Sequence, residues 1–142
     1  MPRINLGQNQ ANSLALLVES VVFPLLRDHP GQVHLEIDID LALTTPGDAT
    51  ATGTLLESAT RQTLDAIGGD GELSIIAVPT PGGIEIELSD NGPAIASRPE
   101  IASLLAARHG VKMQQHDCPQ GGVATTLHFP KRQTNSDSRR AA

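Results

Sequence analysis

Asp90-Asn91-Gly92-Pro93-Ala94 places a carboxylate and a bare stretch of backbone side by side, at the end of an apolar–polar alternation. A carboxylate accepts hydrogen bonds, and a glycine lets a ligand come close to the chain. The same residues also make a common turn after a strand. On their own they mark a turn as well as a site. Ser58 and Gln62 share one face of a helical pattern and offer polar atoms at a rim. His116-Asp117-Cys118 has side chains of metal-ligating type. Neighbours at a strand end point in different directions, so the trio reads as a solvated loop. His109, before Gly110, suits the negative end of a helix dipole. His34 and His128 fall on the polar sides of alternating segments. No Ser-His-Asp set, carboxylate pair or P-loop stands out, so nothing points to a hydrolase of another mechanism.

These residues need elements to hold them. Asn9 to Asp28 carries Leu14, Leu17, Val18, Val21 and Leu25 at helical spacing, with Asn12 or Ser13 as cap. Pro24 inside it should kink the helix or delay its last turn. Asp28-His29-Pro30-Gly31 is a stop signal. Val33 to Asp40 alternates strictly and predicts a half-buried strand. Ala49 to Ile67 predicts a second helix, capped by Asp48 or Thr50 and ended by glycines. Glu72–Pro79 and Gly83–Ser89 predict two strands joined at Thr80-Pro81-Gly82. Ser97 to His109 predicts a third helix: Ser97 and Glu100 have capping-box spacing, Pro99 lies in the first turn, and Ile101, Leu104 and Leu105 form the apolar face. Val111–His116 and Val123–Phe129 close the order α-β-α-β-β-α-β-β. Hairpins rule out a purely parallel sheet. The expected architecture is an α+β two-layer sandwich: a mixed, mostly antiparallel sheet with helices packed on one face.

The chain has 142 residues, 39% hydrophobic and 1% aromatic, so the core must be aliphatic. With only Phe23 and Phe129, a nucleic-acid platform built on stacking is not expected. The net charge is −6. Lys131, Arg132, Arg139 and Arg140 against Asp137 give the last twelve residues +3, which leaves the body at −9 and repels nucleic-acid phosphates. A lone cysteine, Cys118, excludes an internal disulfide. No apolar run is long enough for a bilayer, and MPRINLGQNQ lacks the apolar run of a signal peptide, so the expectation is a cytoplasmic protein away from membranes. Residues 1–130 are expected to form one domain and residues 131–142 a disordered polar tail.

Three segments carry a family resemblance. LLESATRQTLDAIGGDGELSI resembles the N-box helix and its glycine-rich exit in histidine kinases. LSDNGPAI resembles the first glycine box, an Asp-x-Gly-x-Gly turn after a strand. GGVATTLHFP resembles the closing strand, and AARHG is similar to the His-Gly ending of the last helix. They occur in the family's order over about residues 4 to 130. The chain is thereby identified as resembling the histidine-kinase-type ATPase domain of the GHKL superfamily.

The resemblance implies that Asp90 reads the adenine amino group, that Gly92 lets the ring approach, and that Ala94 stands where the motif has its second glycine. It puts Gln62 where an asparagine chelates Mg²⁺; the extra methylene makes it a poor substitute under tight octahedral geometry. The second glycine box, a phosphate loop preceded by a lid, is represented only by AIASRPEI, which has no glycine. What is left for an anion is the third helix's N-terminus, with Arg98 beside it. The helical hairpin bearing a phospho-accepting histidine has no counterpart. The expectation is a degenerate domain in two-component-type signal transduction, with weak or absent ATP and Mg²⁺ binding, no catalytic residues assigned and a signalling protein as partner. The alternative is a working ATP-binding kinase domain, either of the stand-alone anti-sigma type or the catalytic fragment of a sensor histidine kinase. A phosphorelay protein with a decayed nucleotide domain is a third, lesser reading.

Overall fold

The computed structural model describes residues 12–99 and 103–131, and of residues 103 and 104 the backbone alone. Helix α1 spans Leu14–Asp28, with the Ser13 hydroxyl accepting from Leu16 N at 3.4 Å. Leu14, Val18 and Val22 are fully buried along its inner face. The helix runs on through Pro24, and its end at His29 is extended because Pro30 follows. Strand β1, Val33–Asp38, alternates half-buried and exposed residues as the sequence does. Helix α2, Ala49–Ile67, starts at Asp48, whose carboxylate accepts from Ala51 N, and ends at Gly68 with φ +81°.

Strands β2, Gly71–Thr80, and β3, Gly83–Asp90, form a hairpin closed by Pro81-Gly82. Strands β4, Lys112–Asp117, and β5, Val123–Pro130, complete one sheet of order β1-β2-β3-β5-β4. Among the described strands only β1 and β2 pair in parallel, because α2 carries the chain back across the sheet between them. The other neighbours are antiparallel. Leu73, Ile75, Ile86, Leu88, Leu127 and Phe129 point to one face and pack with Leu14, Val18, Leu55 and Leu56 of α1 and α2. The opposite face carries Glu36, Asp38, Glu85, Glu87 and His128. The expected two-layer α+β sandwich with a mixed sheet is the architecture found.

The stretch after β3 departs from expectation. Ser97 caps no helix. It ends a single 3₁₀ turn, Ile95–Ser97, and Arg98 is extended at φ −111°, ψ 152°. Pro99 causes this, because its ring crowds the helical conformation of the residue before it. Helix α3 is described over Ser103–Arg108. Glu100 and Ile101, and the side chain of Leu104, lie outside the described residues, as do Asn9 to Ala11 and residues 132–142 of the expected tail. Helix α3 ends as predicted at Gly110, φ +72°, where Val111 N donates to Ala106 O and Gly110 N to Ala107 O. Among the described residues, no helix is long and apolar enough to cross a membrane.

Candidate functional site

Asp90 closes β3, opposite Leu73 of β2. The turn that follows is pinned on both sides. Asn91 Oδ1 accepts from Glu72 N at 2.8 Å, and Asp90 Oδ1 accepts from Gly92 N at 2.8 Å. Gly122, at φ +88°, backs onto this turn: a Cβ there would lie 1.8 Å from Asp90 O. Position 122 must therefore be glycine for β5 to start beside the end of β3.

The Asp90 side chain is fully buried, and Arg98 is its partner. Arg98 Nη1 donates to Asp90 Oδ2 at 2.9 Å, and Nη2 donates to Oδ1. The third nitrogen, Nε, donates to Pro93 O at 2.7 Å. The Arg98 side chain is only 4% exposed. A planar fork of this kind matches a carboxylate two bonds at a time. Gly92 makes the approach possible, since a Cβ there would stand 3.0 Å from Arg98 Nη2. The 3₁₀ turn that swings Arg98 back is itself anchored: Ile95 N donates to Asp117 Oδ1 at 2.8 Å.

A cavity of about 160 Å³ adjoins the pair, lined among others by Gln62, Thr63, Arg98, Gln115 and Thr125. Gln115 Nε2 donates to Thr125 Oγ1 at 3.0 Å along its wall. So Asp90 and Gly92 meet Arg98, and Gln62 lines the same cavity as Arg98. Ala94 is not part of the cavity lining: it is exposed and precedes the 3₁₀ turn. Ser58 lies off the cavity as well. His109 and His116 are exposed, and Asp117 is engaged by Ile95. No group of three or more His, Cys, Asp or Glu side chains among the described residues could hold a metal ion.

The sequence puts Arg98 beside a helix N-terminus, as a charge for an anion, and Asp117 in a solvated loop; in the structure Arg98 pairs with Asp90, and Asp117 ends β4 and accepts from Ile95 N. The available signal was Pro99, which excludes Arg98 from a helix and leaves its side chain to find another partner.

The geometry can be tested against a purine at Asp90. Adenine presents its amino group as a donor, with ring nitrogens as acceptors beside it. Both Asp90 oxygens already accept from Arg98, and the carboxylate has no exposed edge. For Mg²⁺ the cavity offers the Gln62 amide and, at its edge, the exposed Asp65 carboxylate. Arranged in this way, the residues do not fit Mg-ATP.

The fold itself has close counterparts among solved structures. A mycobacterial sensor histidine kinase, MprB, superposes with a TM-score of 0.69 at 15% identity, over 84% of this chain and 97% of that one. The catalytic domain of the histidine kinase ThkA gives 0.66 at 19% identity, over 84% and 92%. The ATP-binding domain of PrrB from Mycobacterium tuberculosis gives 0.61 at 19%, over 85% and 96%. The chain therefore has the fold of histidine-kinase catalytic, ATP-binding domains. Neither a protein-family model nor a curated protein matches the sequence.

Proposed function

We propose that this chain is a degenerate histidine-kinase-type ATPase domain that has given up Mg-ATP and acts in cytoplasmic, two-component-type signal transduction by binding a protein. The observation that carries the reading is the buried Asp90–Arg98 fork. The aspartate and glycine that would receive adenine both serve instead to hold an arginine of the same chain. Two further features agree. AIASRPEI supplies no glycine-rich phosphate loop, and Gln62 stands where Mg²⁺ would need a shorter amide. A fold outlasts its chemistry, and function follows the site. The partner is a protein rather than a nucleic acid, because the body is acidic and lacks aromatic platforms.

The second reading, a working ATP-binding kinase domain, is favoured by one observation. The cavity beside Arg98 survives and still has Gln62 and Thr125 in its wall. It requires Arg98 to leave Asp90. A thermal-shift or calorimetric titration with Mg-ATP and Mg-ADP separates the two. A ligand selective for the folded state stabilises it by about 2.7 kcal/mol at a hundredfold excess over Kd. The expected result is no shift at millimolar nucleotide. A clear shift that Asp90→Asn abolishes would establish the second reading instead.

A further inference from the structure

We infer that the Asp90–Pro93 turn is a guanidinium receptor, with Arg98 as its resident occupant, so that the place of the purine now has the chemistry of an arginine-binding pocket. This rests on reading the nucleotide site as given up, and it adds what the site recognises in its stead.

Three acceptors of the turn converge on one side chain. They are Asp90 Oδ1, Asp90 Oδ2 and the Pro93 carbonyl, and each accepts from a different nitrogen of Arg98. A guanidinium offers only donors, spread around a plane. That matches a wall made only of acceptors. Adenine matches it less fully, because its amino group is the one donor on that edge and the ring nitrogens beside it are acceptors. The receptor is also built independently of its occupant. Gly92 N holds Asp90 Oδ1, and Asn91 ties the turn to β2. Gly122 closes its back. Without Arg98, both Asp90 oxygens lose the donors they now accept from.

The test is removal of the occupant and replacement of its head group from solution. Arg98→Ala should melt several degrees below the wild type. Methylguanidinium at millimolar concentration should raise its melting temperature in a saturable way, while methylammonium at equal concentration should not. The wild type and the double variant Asp90→Asn/Arg98→Ala should show no such rise. Equal behaviour of methylguanidinium and methylammonium on Arg98→Ala would overturn the inference. So would a larger rise with Mg-ATP than with methylguanidinium, which would mean a purine site that Arg98 merely plugs; the proposed function would stand in either case. A rise with Mg-ATP in the wild type would instead sink the proposed function and leave the guanidinium comparison to decide this one. Should Arg98→Ala not fold, refolding yield with each cation gives the same comparison. Arg98→Lys supplies an independent check: it keeps the charge without the fork, so it should melt below the wild type, and equal stability would refute the match.

Discussion

At the scale of single residues, burial decides what an ion pair contributes. Asp90 and Arg98 are both withdrawn from water, and among the described residues each is compensated by the other and by the turn. Taking one member from such a pair leaves a buried, uncompensated charge at a cost of about 3–5 kcal/mol. Asp90→Ala is therefore expected to lose about that much in urea denaturation, and a loss near zero would show that Arg98 is held by something else. Glu57 and Arg61 make the contrasting case. Their 2.8 Å contact spans one turn of α2, but both side chains are more than half exposed. Exposed pairs of this spacing contribute about 0.3–0.5 kcal/mol. Arg61→Ala should change stability by no more than about that amount in the same assay.

At the scale of elements, helices depend on their ends. Helix α3 is described over Ser103–Arg108. Tertiary contact through Ala106 and the closing turn at Gly110 hold it. Gly110 sits at φ +72°, with open space where a Cβ would go. Gly110→Ala should cost about 1–2 kcal/mol from backbone conformation alone, measurable by thermal melting. No cost there would mean that the end of α3 relaxes into another conformation. Helix α2 is longer and begins at a capping aspartate, so Asp48→Ala should cost about 0.5–2 kcal/mol. Hydrogen exchange at the first turn of α2 would locate the loss: faster exchange confined to Ala51 and Thr52 is expected, and uniform change along the helix would contradict a cap effect.

At the scale of the whole molecule, one continuous core joins α1, α2, α3 and the sheet. Ile86 lies at its centre, fully buried on the middle strand, between Ala77 and Leu127. Ile86→Ala should cost about 2–5 kcal/mol through lost burial and the cavity left behind. A single core also predicts one cooperative transition. Calorimetry should give equal calorimetric and van't Hoff enthalpies, and two resolved peaks would contradict it. The opposite sheet face takes no part in this core and is studded with Glu36, Asp38, Glu85 and Glu87.

Periodicity together with turn and cap signals specified α1, α2 and the five strands, because a buried face must repeat with the period of its element and Gly or Pro marks where it stops. VHLEIDID could be nothing but a half-wet strand, and it became β1 over Val33–Asp38. The glycine stops at Gly68 and Gly110 were legible for a similar reason: each needs a backbone conformation that other residues avoid. The site residues could be named from a local motif, since Asp90 and Gly92 belong to one turn. Their use could not. Whether Asp90 faces a ligand or a side chain depends on what folds back over it, and this was decided by Arg98, eight residues on. A capping-box pattern at Ser97, with Pro99 in the first turn, points to a helix there, but the same proline crowds the helical conformation of Arg98 before it, so the local signals conflict. Tertiary structure resolved the conflict. Asp117, from the far end of β4, holds Ile95, and the Asp90 carboxylate takes the Arg98 guanidinium two bonds at a time. Contacts made by folding back carry no periodic signature, so only the folded chain could show that the Asp90 carboxylate is held by Arg98.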